Sequence, residues 1–403
     1  MAPRLTVLSA ASAGASRAGA TDFAFHEALD ALGVFADADA SVFFCAGPRA
    51  GETRENRLTA REAFRDNLFA ACGRVTTGSA AVAEALGRAA AASDALLLGD
   101  VEGLSAAEWT PALPRARRVV AWVLSDWPRE FPACDPVWTE ARRGPLPRRL
   151  VASTCVKLAY KKNPAHRDVL SAVSAAVFAD ETLRERNARS FPRLKDAFVA
   201  PPPIDAEIFR FKPCAPARKN LWGCFGDADS EPEELETALK IFAFEALRNP
   251  ECRFRVFADV SSPAGQKIVA RVRSHPALAP RTAFAPPPGG NAELAAALRA
   301  LGVLVAPRRV RKSAFPQLVA LAVACGCFPI CGKDAETSAL LARRPTEMLF
   351  NAETPSSAFL ICEKLKSLAP ENLSAALEPL AREILAAAEK TRVAGVLSAA
   401  LAA

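Results

Sequence analysis

Four positively charged side chains are concentrated in one short stretch of the second half of the chain. They follow Val303–Ala306, an apolar run with the length of a buried strand, and precede a helical pattern that opens at Phe315 and Pro316 and continues to Gly326. In a parallel sheet, such a unit places backbone N–H groups and the positive end of the helix at the carboxyl edge of the strands, where anionic ligands bind. We therefore predict a phosphate or nucleotide site. The four cations are Arg308, Arg309, Arg311 and Lys312.

A second apolar strand follows this helix and returns to the same edge. It is predicted over 327–331, and it leads into Gly332 and Lys333. We add these two residues, with Phe315 and Pro316, to the ligand-binding candidates. Two interpretations stay open: the basic loop binds phosphates or is merely solvated, and Lys333 contacts the ligand or is an ordinary exposed lysine.

The cysteines and histidines do not favour a metal site. The chain has eleven cysteines and three histidines, and the one cysteine cluster, Cys325, Cys327 and Cys331, falls on a helix end and a strand that should be buried. Buried free thiols in a reducing compartment are the better interpretation. We therefore expect no metal, no other cofactor and a cytoplasmic location.

A loop of small residues follows the first predicted strand, Leu5–Ser9. Its Gly14, Ser16 and Gly19 are typical either of a backbone-lined loop beside a ligand or of an ordinary turn. The next helix, predicted over 22–32, carries His26 on its apolar face, where a packing role is expected.

Strand-like and helix-like segments alternate through both halves of the chain, which predicts parallel sheets covered on both faces. A proline-rich stretch, 201–216, separates the two series. We therefore predict an α/β protein with two doubly wound Rossmann-like domains, 1–200 and 217–403, which face each other across a cleft where the ligand binds.

The overall composition is that of a soluble globular protein, with 51% hydrophobic and 24% charged residues. The net charge of +7 suits an anionic ligand, but the basic residues are dispersed and aromatic residues make up only 7%, so nucleic acid is not an expected partner. The sequence contains no uncharged apolar run of about 18 residues, so we predict no transmembrane segment and leave peripheral membrane contact open.

The segment FPQLVALAVACGCFPI resembles FPNTVLEALACGTPVV, the most recognisable segment of family 4 glycosyltransferases and of their subgroup similar to colanic-acid and fucosyl transferases. Three further segments resemble family sequences in the same order along the chain. They are ASRAGATDFAFHEALDALGV, RVVAWVLSDWP and VAPPPIDAEIFRFKP. The resemblance implies the B-type architecture of two Rossmann-like domains, and retaining transfer of a sugar from a nucleotide-sugar donor to a carbohydrate or other acceptor.

The resemblance also shows where this chain departs from the family. Two family glutamates, eight positions apart, hold the donor sugar and the ribose, and they fall on Ser313 and Leu321; a family histidine falls on Ser125. Ser313, Ser125 and Asp126 are the catalytic candidates that remain, although Asp126 fits a structural role in the turn after its strand better.

The phosphate loop of the second domain departs as well, because acidic residues stand where the family has cations. These residues are Asp227, Asp229, Glu231 and Glu233. The basic loop or Lys333 would then have to neutralise the diphosphate. Three hypotheses follow: a nucleotide-sugar glycosyltransferase, an inactive homologue that acts in binding or assembly, and a different phosphate-ligand enzyme on the same scaffold.

Overall fold

The computed structural model describes fourteen stretches of the chain, which together contain two compact units. The units are residues 1–203 with 390–403, and residues 204–389. The described residues are 4–9, 28–29, 31–33, 41–46, 57–59, 79–99, 110–125, 127, 164–226, 228, 232–307, 316–341, 348–351 and 354–403.

The strands are β1 (Leu5–Ser9), β2 (Ser41–Ala46), β3 (Arg57–Thr59), β4 (Ala95–Gly99), β5 (Val119–Val123), β6 (Ala175–Phe178), β7 (Asp196–Val199), β8 (Leu221–Phe225), β9 (Arg253–Phe257), β10 (Thr282–Ala285), β11 (Val303–Ala306), β12 (Phe328–Gly332) and β13 (Leu349–Phe350). The helices are α1 (Ser79–Ala92), α2 (Pro164–Ala172), α3 (Glu181–Asn187), α4 (Pro216–Lys219), α5 (Pro232–Arg248), α6 (Pro263–Ser274), α7 (Asn291–Ala300), α8 (Gln317–Ala324), α9 (Ala335–Leu341), α10 (Phe359–Ser367), α11 (Pro370–Ala387) and α12 (Lys390–Ala402). Short 3-10 helices cover Thr110–Arg115, Ala188–Ser190 and Pro355–Ala358.

The first unit contains a seven-stranded sheet in the order β3-β2-β1-β4-β5-β6-β7. Its neighbouring strands are parallel except for the antiparallel pair β2 and β3. The strands β4, β5 and β6 are buried along their whole length, because helices and loops cover both faces of a parallel sheet. Gly33 has φ of +74°, the left-handed conformation that glycine adopts readily. Most of the helix predicted over 22–32 lies outside the described residues.

The second unit contains a six-stranded parallel sheet in the order β10-β9-β8-β11-β12-β13. This is the order 3-2-1-4-5-6 of the dinucleotide-binding Rossmann fold, in which the chain reverses direction across the sheet between its first and fourth strands. The core on one face is aromatic: the ring of Phe242 stacks on Phe254 at 4.6 Å and lies 6.3 Å from Trp222. Alternation of strands and helices thus builds two separate Rossmann-like sheets.

The last helix, α12, belongs to the first unit. It packs against β6 and β7, and it buries an apolar stripe that includes Val393 and Leu397. The predicted boundaries, by contrast, assign 390–403 to the second domain and 201–216 to a linker. In the structure, the second unit begins at Ile204 and ends at Glu389. Among the helices that the structure describes, none combines the length and the hydropathy needed to cross a membrane.

Candidate functional site

The predicted ligand edge is formed by the carboxyl ends of three strands of the second sheet. The strand β11 pairs with β8 on one side and with β12 on the other, and all three run parallel. Their last residues, Phe225, Ala306 and Gly332, therefore end at one edge of the sheet. The boundary between β8 and β11 is the point where the strand order reverses, and ligands of open α/β sheets bind outside such a point.

The described candidates lie at these edges. Pro316 is buried and immediately precedes α8, and Gly332 is the buried last residue of β12. Lys333 is exposed, and its backbone N–H donates to the carbonyl of Phe350 at 2.7 Å, which ties the end of β12 to β13. Ser125 is only 4% exposed and follows β5 at the carboxyl edge of the first sheet.

The remaining candidates lie outside the described residues. The stretch that contains the predicted basic loop starts after Pro307, directly beyond β11, and ends at Pro316, directly before α8. The candidates outside the described residues are Gly14, Ser16, Gly19, Asp126, Arg308, Arg309, Arg311, Lys312, Ser313 and Phe315, together with the acidic Asp227, Asp229 and Glu231.

The helix α8 is buried almost throughout, because it lies between the sheet and α11. Its sequence QLVALAVA is apolar all round after the first residue, as expected for a helix with no solvent face. Leu321, which matches the second family glutamate, is 2% exposed in this apolar layer. A leucine side chain has no hydrogen-bonding group, so this position holds the helix in the core and cannot hold a ribose.

Three buried polar residues at this edge are not among the candidates that the sequence predicts. Gln317 is the first residue of α8, Asp334 follows β12, and Thr337 lies in α9; they are 3%, 7% and 0% exposed. The Oδ1 atom of Asp334 accepts the Thr337 N–H at 2.6 Å. Within the described part of the chain, Gln317 Oε1, Asp334 Oδ2 and Thr337 Oγ1 have no hydrogen-bond partner. The sequence signals are a glutamine in an otherwise apolar helix and an aspartate two residues after a strand.

A buried arginine, Arg218, fixes the opposite end of α8. Its guanidinium donates to main-chain carbonyls at the ends of α7 and α8 and in the segment before α4. The acceptors are the oxygens of Leu301 at 2.7 Å, Cys325 at 3.0 Å, Leu298 at 3.3 Å, Pro213 at 3.3 Å and Lys212. Burial lowers the pKa of Arg218 below its usual value, and helix carboxyl ends carry the partial negative charge that favours a cation there.

The glycine that ends α8 is required by this packing. Gly326 has φ of +70°, and a Cβ atom there would lie 2.3 Å from the carbonyl oxygen of Lys212. A side chain would therefore meet both backbone strain and a steric clash. The carboxyl end of α8 is consequently fixed from two sides, by Arg218 and by close backbone contact.

The helix that follows β8 has an acidic start. Glu233 and Glu234 lie in the first turn of α5, and Gly226 before it lets Leu235 pack closely, since a Cβ at Gly226 would lie 2.6 Å from Leu235 Cδ2. Carboxylates in the first turn stabilise the helix but would repel a diphosphate. Any phosphate at this edge therefore needs cations from another segment.

The amino edge of the second sheet holds a pocket of about 300 Å³, opposite the predicted ligand edge. Its lining includes Trp222, Glu245 and Cys252. Burial raises the pKa of Glu245, and burial beside that carboxyl raises the pKa of Cys252 to about 12. The Cys252 thiol donates to Glu245 Oε1 at 3.7 Å, and Lys219 Nζ donates to the Lys366 carbonyl at 3.1 Å at the end of α10. These polar groups are paired within the unit.

Comparisons with known proteins identify the fold. No protein-family model and no curated protein sequence matches the chain. Among solved structures, HepE from Anabaena in complex with UDP-glucose is similar, with 13% identity, a TM-score of 0.63 and coverage of 98% of this chain and 100% of that one. Sucrose-phosphate synthase from Thermosynechococcus elongatus has 12% identity, a TM-score of 0.62 and coverage of 98% and 97%.

A third similar structure, described as trehalose-6-phosphate from E. coli bound with UDP-2-fluoro glucose, has 12% identity, a TM-score of 0.59 and coverage of 99% of this chain and 98% of that one. At this level of identity, the similarity shows the fold alone. The predicted fold class, α/β with two Rossmann-like domains of the B-type glycosyltransferase architecture, is confirmed. In the described residues, no group of three or more His, Cys, Asp or Glu side chains is arranged to hold a metal ion.

Proposed function

We propose that this chain binds a nucleotide sugar at the carboxyl edge of its second sheet and transfers the sugar, with retained configuration, to a carbohydrate or other acceptor. One observation carries the proposal: the reversal point of the sheet lies between β8 and β11, and the stretch with four cations starts directly after β11. Similar structures were solved with UDP, with UDP-glucose and with UDP-2-fluoro glucose, which supports a nucleotide-sugar donor.

The chemistry at this edge is mainly electrostatic. A departing nucleoside diphosphate accumulates negative charge, and preorganised cations and helix N-termini stabilise it without reorganisation. Because the first turn of α5 is acidic, Arg308, Arg309, Arg311 and Lys312 are the groups assigned to the diphosphate. No metal or other cofactor has a part in the proposed reaction.

A second candidate is an inactive homologue that binds the same ligand without turnover. The burial of Leu321 in the apolar layer favours it, because the ribose contact of the family is absent there. Ser313 and Ser125 stand at the other two altered positions. Each charged hydrogen bond contributes about 1.5–3 kcal/mol, so loss of three such contacts would slow transfer by several powers of ten.

The proposed compartment is the cytoplasm. The seven described cysteines of the second unit are all buried free thiols. Free thiols are typical of a reducing compartment.

Titration calorimetry of the full chain with a panel of nucleotide sugars and bare nucleotides tests the proposal. We expect saturable binding that the double variant Arg309→Ala with Arg311→Ala abolishes. The matched control replaces two exposed arginines of the same unit, Arg271→Ala with Arg382→Ala, and should bind as the wild type does. No binding across the panel would refute the proposal. Sugar transfer or donor hydrolysis separates the enzyme from the inactive homologue.

A further inference from the structure

Three buried polar atoms at the start of α8 and in the first residues of the β12–α9 segment destabilise the ligand-free protein. Gln317 Oε1, Asp334 Oδ2 and Thr337 Oγ1 are shielded from solvent, and within the described residues none has a hydrogen-bond partner. Desolvation of a polar group without a replacement hydrogen bond destabilises the folded state, most strongly for a carboxylate. Unpaired groups of this kind therefore need an explanation, and a ligand at the site supplies one.

Their chemistry defines what the ligand must offer. A carboxylate oxygen and an amide carbonyl oxygen only accept hydrogen bonds, whereas a threonine hydroxyl donates and accepts. A phosphate, which has only acceptors and negative charge at neutral pH, would be repelled by Asp334. A polyol fits, because each hydroxyl donates one hydrogen bond and accepts others.

The position of these atoms fits the same ligand. Gln317 begins the helix that follows the basic stretch, and Asp334 follows β12, which pairs directly with β11. The basic stretch after β11 and the acceptors Gln317 and Asp334 thus belong to one sheet edge. The cations are assigned to the phosphates of the ligand and the acceptors to its hydroxyl groups. The family acceptors at Ser313 and Leu321 have been replaced, and Leu321 lies in the core.

We infer that Asp334 and Gln317 are the residues that accept hydrogen bonds from ligand hydroxyls, either of the ribose or of the transferred sugar. This inference rests on the proposed function, because it assumes a nucleotide sugar at this edge. Thr337 in α9 orients the carboxylate of Asp334. The Thr337 N–H donates to Asp334 Oδ1, which leaves Asp334 Oδ2 for the ligand.

The inference is tested by measuring the binding of three ligands. They are the nucleotide sugar that the wild type binds most tightly, the corresponding bare nucleotide, and the 2′,3′-dideoxy form of that nucleotide. Asp334→Asn keeps the Oδ1 acceptor for Thr337, and Gln317→Leu removes the amide. Each variant should bind the nucleotide sugar about tenfold or more weakly. Asp205→Asn is the control, because its carboxylate caps a turn at the N–H groups of Glu207 and Ile208.

The ligands distinguish the source of the hydroxyls. If the sugar supplies them, the bare nucleotide binds wild type and variants equally. If the ribose supplies them, both ligands weaken, and the dideoxy nucleotide no longer distinguishes the variants from the wild type. Affinity of both variants within twofold of a wild type that binds would overturn the inference.

Stability of the ligand-free protein provides a test that needs no nucleotide. Asp334→Asn removes a buried charge and keeps the turn at Thr337, so its urea midpoint at pH 7 should equal or exceed that of the wild type. A clearly lower midpoint would show that the carboxylate has a structural partner and would overturn the inference. A wild type that binds no nucleotide would instead refute the proposed function, so the two failures are distinguishable.

Discussion

Replacement of Arg218 by methionine is the most informative perturbation of the second unit. The guanidinium donates five hydrogen bonds to carbonyls of three separate segments. The distances are 2.7 Å to Leu301, 3.0 Å to Cys325 and 3.3 Å to both Leu298 and Pro213, and the bond to Lys212 is shorter than these. The segments are the residues before α4, the end of α7 and the end of α8. Methionine fills part of the space but donates to none of these carbonyls, and within the described residues only the Leu298 carbonyl keeps another donor, the Leu301 N–H at 3.2 Å.

The size of the effect follows from the geometry. All five bonds come from the charged guanidinium, and the three closest, to Lys212, Leu301 and Cys325, contribute about 1.5–3 kcal/mol each. The burial of the charge opposes this gain, so we expect a net loss of about 3–5 kcal/mol in the free energy of unfolding of the second unit, as for other broken buried ionic contacts. Arg218→Lys should fall between methionine and wild type, because an ammonium has three donors and no planar fork.

Urea unfolding combined with hydrogen exchange measured by mass spectrometry is the suitable assay. Exchange should increase most in peptides that cover α7 and α8, since Leu301 and Cys325 end these helices. Arg248→Met is the matched control. Arg248 is half-exposed, pairs with Glu363 and lies 3.8 Å from the Phe244 ring centre, contacts that contribute about 1–2 kcal/mol together.

The reasoning would be refuted if Arg218→Met were as stable as Arg248→Met. That result would mean that solvent replaces the guanidinium without cost and that α8 is fixed by its apolar contacts alone.

Two further substitutions test the packing of each unit. Burial raises the pKa of Glu245 above its usual value, so the folded state binds a proton more readily than the unfolded chain, and the stability from this group is lost as pH rises through the raised pKa. Glu245→Gln should therefore be more stable than the wild type in urea at pH 7 but not at pH 4. A stability difference that does not change with pH would contradict this. The Leu397 side chain on α12 is fully buried, so Leu397→Ala should lower the free energy of unfolding of the first unit by about 2–5 kcal/mol and increase hydrogen exchange in β6. Ser398→Ala, at the neighbouring exposed position, should change neither quantity.

The fold could be predicted because both sheets are built from short continuous apolar runs. Strands such as ALLLG in β4 and VVAWV in β5 are buried on both faces, so their sequences have no polar alternation to obscure them. The three-residue strand β3, RLT, is too short and too polar to be distinguished from a loop. The partner of α12 was also missed, because an amphipathic pattern tells which face is buried and not what covers it.

The sequence predicts the strand ends and the helix start at this edge, whereas the ligand-binding role of the residues there stays a prediction. Strand ends and a helix start can be read from periodicity, and Pro316 and Gly332 lie where that reading placed them. Gln317 and Asp334 were missed because a single polar residue at a helix start or strand end usually serves as an ordinary cap. Their unpaired atoms become visible only when the tertiary packing excludes solvent.

The assignment of 390–403 to the first unit has a consequence for how the chain is assembled. In topological terms, residues 204–389 are an insertion into the first unit, and the ends of the insertion meet: the N–H of Ile204 donates to the carbonyl of Ala388 at 2.8 Å. The second unit is contiguous and can fold as soon as it has been synthesised, which closes the long loop between β7 and α12 and lowers its entropic cost. The first unit, although synthesised earlier, is complete only when the last helix reaches β6 and β7.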